Sequence, residues 1–204
     1  MFTGLVTAVG RIERVEPLPG PGAGVRARIA TPPGWLAGVA DGDSICISGA
    51  CMTVVAFDAA GFEVEISAES LARTTGLDQA DALVNLEQSV TLATKLGGHL
   101  VTGHVDGIGR VDTFEPVGES WHLALDVPAE LARFFAYKGS ITVNGVSLTV
   151  NRVDDRDDRS ATVHINLIPH TLQHTNLHKL SAGRAVNVEV DLIARYVQRM
   201  VATA

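Results

Sequence analysis

Histidines, hydroxyls and thiols are the groups in this chain that could move protons or attack carbon. His99 and His104 stand five apart in "GGHLVTGH", and His170, His174 and His178 follow at intervals of four. An imidazole titrates near neutral pH, so each can serve as acid or base. Helical spacing of four also suits metal ligands, but no carboxylate or cysteine cluster completes a set, and no metal site is expected. Ser147 and Thr149 lie two apart in a β-rich run and would share one face of a strand. Cys51 and Thr53 hold the matching positions in an earlier run. Strand propensity alone explains such residues, and no G-x-S-x-G elbow marks a hydrolase nucleophile. Gly103, Gly107 and Gly109 do not make a dinucleotide loop, because β-like residues continue to Val111 where a helix would have to open.

These groups belong to two copies of one pattern. "MFTGLVTAVGRIERVEP" returns as "LVTGHVDGIGRVDTFEP", with Thr3, Gly4 and Val6 matching Thr102, Gly103 and Val105. "DSICISGACMTVVAF" returns as "GSITVNGVSLTVNRV", "AESLARTT" as "PHTLQHTN", and "VNLE" as "VNVE". The order is kept, which indicates tandem duplication of a domain of roughly 95 residues, too long and too few for a solenoid. The division expected is 1–97, 98–189 and a tail from 190 to 204. Runs such as "FEVEIS" and "TVHINLI" alternate apolar and polar residues, as half-buried strands do. Gly49 and Gly145 predict a tight turn or bulge, and "PLPGPGAG" and "DDRDDRS" read as loops. Each repeat is therefore all-β, a small antiparallel barrel or sandwich with short helical turns at "AESLART" and "PHTLQHT". In the tail, "DLIARYVQRMVATA" puts Ile193, Tyr196, Val197, Met200 and Val201 on one helical face behind a possible Asp191 cap. That face must be buried against its own chain or against the same helix of other subunits.

Composition narrows the class. Of the 204 residues 46% are hydrophobic and 19% charged, a core-forming balance, and the net charge is −7. An acidic chain with few aromatics does not suit nucleic acid or an anionic membrane. Cys46 and Cys51 are read as one strand at an odd separation, pointing to opposite faces, so no disulfide is expected between them. With no membrane-spanning run and no disulfide framework, a cytoplasmic protein is expected.

Together, "MFTGLV", "GGHLVTGHVDGIG", "KGSITVNGVSLTV" and "LIPHTLQHTNL" closely resemble the riboflavin synthases, in order and over nearly the whole chain. The resemblance implies two six-stranded antiparallel barrels, a C-terminal helix, and a homotrimer assembled through that helix. It implies that two molecules of 6,7-dimethyl-8-ribityllumazine, held between the N-terminal barrel of one subunit and the C-terminal barrel of another, exchange a four-carbon unit. Riboflavin and 5-amino-6-ribitylamino-uracil result, with no external cofactor. By resemblance the N-terminal site comprises Gly4, Leu5, Val6, Cys51, Met52, Thr53, Glu65, Ile66, Ser67, Ala68, Glu69 and Ser70, with Phe2 near the ligand. The C-terminal site comprises Gly103, His104, Val105, Ser147, Leu148, Thr149, Ile168, Pro169, His170, Thr171, Leu172 and Gln173. Lys138 would reach in from a partner subunit, and association with lumazine synthase is allowed. His104, Ser147 and Thr149 are the acid/base and polarising groups this implies, with Cys51 assisting at the other site. Asn144 stands where some members of the family carry Asp, Ser48 where Asn is frequent and Met52 where Leu is usual. A non-catalytic flavin-binding protein on this scaffold and a structural β-barrel platform are the alternatives.

Overall fold

The structure is a computed structural model that describes residues 1–202. Each repeat closes into its own antiparallel barrel. The first contains β1 (Ala8–Pro17), β2 (Val25–Ala30), β3 (Ser44–Ile47), β4 (Ala50–Phe57), β5 (Gly61–Ile66) and β6 (Leu83–Gln88), in the order β1-β2-β5-β4-β3-β6. The second contains β7 (Gly107–Val117), β8 (Ser120–Val127), β9 (Ser140–Val143), β10 (Val146–Asp155), β11 (Ala161–Leu167) and β12 (Ala185–Val190). Its cyclic order is the same, so the duplication read in the sequence is a duplication of topology. Short helices α1 (Ala68–Arg73), α2 (Ala129–Ala132) and α3 (Pro169–His174) lie between strands, and α4 (Leu192–Ala202) follows β12. Among the described residues no helix is long and apolar enough to cross a membrane.

The strands form where apolar residues alternate. In β5, Phe62, Val64 and Ile66 point into the first barrel while Glu63 and Glu65 face outward. In β11, Val163, Ile165 and Leu167 do the same for the second barrel. Burying such a side chain contributes about 1.5–3 kcal/mol, and each barrel is filled by its own cluster. Register shifts after Ile12 and Val54 recur after Val111 and Val150, and bulges of this kind bend strands far enough to close a small barrel.

The glycines in the middle of the two β-rich runs are turns. Ser48 and Gly49 have φ of 45° and 92°, and Asn144 and Gly145 have 47° and 80°. Positive φ at both central residues is the two-residue hairpin geometry that matches strand twist. The expectation for the cysteines is corrected here. The turn splits their run, so Cys46 on β3 pairs directly with Cys51 on β4. Both are free thiols.

The two hairpin tips meet at the seam between barrels. A Cβ added to Gly145 would lie 2.8 Å from the Gly49 amide nitrogen. Two matching asparagines lock the tips: Asn85 Nδ2 donates to the Asn144 carbonyl and Asn187 Nδ2 to the Ser48 carbonyl, at 2.8 and 2.9 Å. The departures at Ser48 and Asn144 therefore sit in turns, where Ser48 Oγ and Asn144 Oδ1 accept from the Asn85 and Asn187 amides.

Candidate functional site

A buried glutamate organises each repeat. Glu87 Oε1 accepts from the Thr3 amide and Thr3 Oγ1, both at 2.7 Å, and Oε2 accepts from the Gly4 amide at 2.9 Å. Glu189 binds Thr102 and Gly103 with the same three bonds and lengths. Burial raises both carboxyls above the usual range, against the pull of these donors. The glutamates thus pin the start of each repeat to the last strand of its own barrel.

The chain then crosses the seam. The Gly103 carbonyl accepts from the Cys51 amide at 2.7 Å, and Val105 packs against the first barrel's core. Reciprocally, the Gly4 carbonyl accepts from the Ser147 amide at 2.8 Å, and Val6 packs against the second core. The openings are exchanged. The grouping drawn from the resemblance is therefore corrected: Gly103, His104 and Val105 lie with Cys51, and Gly4, Leu5 and Val6 lie with Ser147. Glycine is required at the crossing points. Gly4 has φ of 75°, and a Cβ there would stand 2.5 Å from Ser147 Cβ.

These crossings fill matching gaps. β4 and β5 pair only from Val54↔Val64 onward, leaving Cys51–Thr53 and the end of β5 unpaired with each other. β10 and β11 likewise begin pairing at Val150↔Ile165, beyond Ser147–Thr149. The first cleft is rimmed by exposed Thr53, Glu65, Ser67, Ala68 and Glu69, with Ser70 half-buried. Ser67 caps α1 by accepting from the Ser70 amide at 3.0 Å, and Glu69 pairs with Arg73. The second is rimmed by exposed Thr149, Ile168, Pro169, His170 and Gln173, with Leu148 and Thr171 half-buried. Met52, Ile66 and Leu172 turn into cores, and Phe2 is wholly buried in the seam beside Val101 and Cys46. Lys138 is exposed in the loop before β9, its amide bonded to the Val150 carbonyl at 2.8 Å.

The second cleft holds a group that sequence reasoning did not place there. His99 Nδ1 lies 2.7 Å from Ser147 Oγ, and Nε2 lies 3.2 Å from Thr142 Oγ1. Burial depresses the His99 pKa, so the ring is neutral at pH 7. A neutral ring carries one proton and so accepts from one hydroxyl and donates to the other; in the tautomer with that proton on Nε2, Nδ1 accepts from Ser147 Oγ and Nε2 donates to Thr142 Oγ1. Ser147 is thereby polarised as a proton carrier or nucleophile. His104, on the exposed segment by Cys51, keeps its ring open to solvent. His170 and His174 stack on α3 at 4.0 Å, while His178 lies on a separate 3-10 turn, Asn176–Lys179, so the three share no helix face. Among the described residues no His, Cys, Asp or Glu group of three is placed to hold a metal.

Two cavities lie elsewhere. One of about 640 Å³ sits between the Gly76–Val84 and Lys179–Ala185 segments, and one of about 690 Å³ beside α2, and neither includes Ser147 or Cys51. The hydrogen-bonded clefts carry the chemical groups, so they are the candidate site.

Comparison with known proteins agrees with this frame. The lumazine binding domain family matches twice, at residues 3–89 and 102–191. Riboflavin synthase of Brucella abortus (strain 2308) is 40% identical over 206 residues, covering 98% of each chain. That of Photobacterium phosphoreum is 35% identical, covering 98% of this chain and 88% of its own. Among solved structures, LumP complexed with riboflavin superposes with a TM-score of 0.80 at 27% identity, covering 93% of this chain and 99% of that one. LumP complexed with 6,7-dimethyl-8-(1'-D-ribityl) lumazine gives 0.79 at 26%, with the same coverage. Two exchanged, glutamate-pinned clefts on duplicated barrels, with full-length likeness at this level, make the chain a member of the riboflavin synthase family of paired lumazine-binding domains.

Proposed function

We propose that the protein catalyses the dismutation of two 6,7-dimethyl-8-ribityllumazine molecules into riboflavin and 5-amino-6-ribitylamino-uracil. The observation that carries this reading is a pair of matching clefts with unequal chemistry. The backbone frame is repeated bond for bond, as two copies of one ligand require. The side chains differ: His99, Ser147 and Thr142 in one cleft, Cys51 and the His104 segment at the other. One substrate compound entering two roles needs that combination.

The lumazine ring is electron-poor, so its 7-methyl group is acidic. Loss of a methyl proton leaves a carbanion delocalised over the ring. Addition of a nucleophile to the second ring makes it a four-carbon donor. The carbanion attacks it, and ring closure and elimination complete the transfer. Ser147, polarised by His99, is the group assigned to proton movement in the C-terminal cleft. His104 is the group assigned to proton movement at the first cleft, with Thr149 and Cys51 as contacts at their respective rims. Holding both rings face to face makes the step effectively unimolecular.

The two clefts would face each other only between subunits, the N-terminal barrel of one against the C-terminal barrel of the next, with Lys138 entering from the neighbour. A homotrimer joined by α4 fits this. Ile193, Tyr196, Val197 and Val201 are 62%, 64%, 52% and 70% exposed in the single chain, an apolar stripe that association would cover. The helix start is already fixed, since Arg195 Nη2 donates to both carboxylate oxygens of Asp106, at 2.7 and 2.8 Å.

The test is turnover of purified protein on the lumazine alone, followed by riboflavin absorbance with both products resolved by chromatography. One riboflavin per two lumazines is the expected result. Tight binding without product would replace the enzyme with a flavin-binding protein, and neither binding nor product would end the reading.

A further inference from the structure

Cys46 and Cys51 occupy the register positions that Thr142 and Ser147 occupy in the second barrel. Each pair stands one step back from its two-residue turn. The Cys51 amide donates across the seam to Gly103 rather than to Cys46, so this is a non-hydrogen-bonded pair. In such a pair the side chains lie on the same face and the Cα atoms are about 4.5 Å apart, the close end of the range a disulfide spans. Ile45, Ile47 and Met52 point into the barrel, so both cysteines point out of it, towards the seam. There Cys46 is buried with Phe2 and Val101, and Cys51, half-buried, packs against that cluster at the edge of the first cleft. No step of the proposed reaction uses Cys46.

From this geometry we propose that Cys46 and Cys51 form a reversible cross-strand disulfide that switches off the N-terminal lumazine cleft. The switching rests on the function proposed above; closure of the pair does not. The oxidant is a peroxide. Cys51, the more accessible sulfur, is oxidised to the sulfenic acid as the O–O bond breaks and one water leaves. The Cys46 sulfur then attacks the Cys51 sulfur, the S–S bond forms, and hydroxide departs with the Cys46 proton as a second water. Two thiols lose two electrons and one peroxide gains them. Cys46 is held in the seam by Phe2 and Val101, so the new bond draws the Cys51 sulfur off the cleft rim. A dithiol restores the thiols and the contact. Such pairs are transient in a reducing compartment, which suits a switch and not a structural bridge.

The test compares reduced and peroxide-treated protein by peptide mass and by fluorescence titration with 6,7-dimethyl-8-ribityllumazine. Both cysteines fall in the tryptic peptide between Arg28 and Arg73, which should lose two hydrogen masses on oxidation and regain them with dithiothreitol. Affinity for the lumazine should fall about tenfold and recover in parallel. Cys46→Ala should bind as the reduced parent does, gain oxygen at Cys51 instead, and show no loss of two hydrogens. Oxygen addition to Cys51 of the parent without hydrogen loss would overturn the pairing. Hydrogen loss with unchanged affinity would overturn the switch. Reduced protein that binds no lumazine would overturn the assigned function and the switch with it, while the peptide mass still decides whether the pair closes.

Discussion

At one register position the two barrels carry different chemistry on the same frame. Thr142 opposite Ser147 is bridged by His99, whereas among the described residues no imidazole bridges Cys46 and Cys51. Duplication kept the backbone and released the side chains to diverge. His99 is the residue whose state matters most. Burial lowers its pKa below the ordinary 6.5, so the folded ring takes up a proton only under more acidic conditions than the unfolded ring does. Its contribution to stability is complete above the unfolded value and is lost as pH falls through it towards the depressed folded value. Activity should follow the same direction, with the acid limb of kcat displaced below pH 6.5 because burial delays protonation of His99 to more acidic conditions. His99→Gln keeps hydrogen-bonding groups but does not titrate. It should lower kcat about ten- to hundredfold and remove that limb, with KM little changed. An acid limb unchanged in His99→Gln, measured by stopped-flow across pH, would sink its role. His99 was visible as a histidine in "GGHLVTGH", but nothing in the string says that it folds back onto a residue forty-eight positions ahead.

Strands and turns were the more legible level. Alternation in "FEVEI" and "TVHINL" shows at once which side chains enter a core, and closed barrels follow from repeating such runs. The β-rich runs around Gly49 and Gly145 misled at one point, because a two-residue turn leaves no polar gap and the cysteines on either side read as neighbours in one strand. Both turns are under steric pressure that an ordinary surface turn lacks. Gly145→Ala puts a methyl at positive φ and 2.8 Å from the Gly49 nitrogen of the other barrel. Gly118 also has positive φ, 60°, but a Cβ there meets nothing within 4 Å. Gly118→Ala should therefore cost about 1 kcal/mol of backbone strain. Gly145→Ala should cost about 3 kcal/mol, since the hairpin tips must also part. Urea unfolding of the two variants checks this: equal losses would mean that the tips do not press on each other.

The whole molecule holds what the sequence could not show. The repeated "VNLE" and "VNVE" strings were plain, yet burial of Glu87 and Glu189 under the chain openings depends on long-range packing, and so does the exchange that sets Gly4 against Ser147 and Gly103 against Cys51. A duplication read along the chain says which positions correspond, not which barrel each opening completes. The exchange has a consequence for assembly. The backbone frame of each cleft is built within one chain, so under the proposed function a monomer should bind lumazine, while the two ligands should meet only once subunits associate. Ile193→Asp combined with Val197→Asp places charge in the apolar stripe of α4 and leaves the Arg195–Asp106 pair in place. The variant should sediment as a single chain of 21.5 kDa, keep its circular dichroism and its lumazine affinity within a few-fold, and lose at least about a hundredfold in turnover. Mixing it with active protein should not restore the loss, because the defect lies in association and not in either cleft. Full turnover from the monomeric variant would place both substrates within one chain, and a persistent trimer would move the interface off α4.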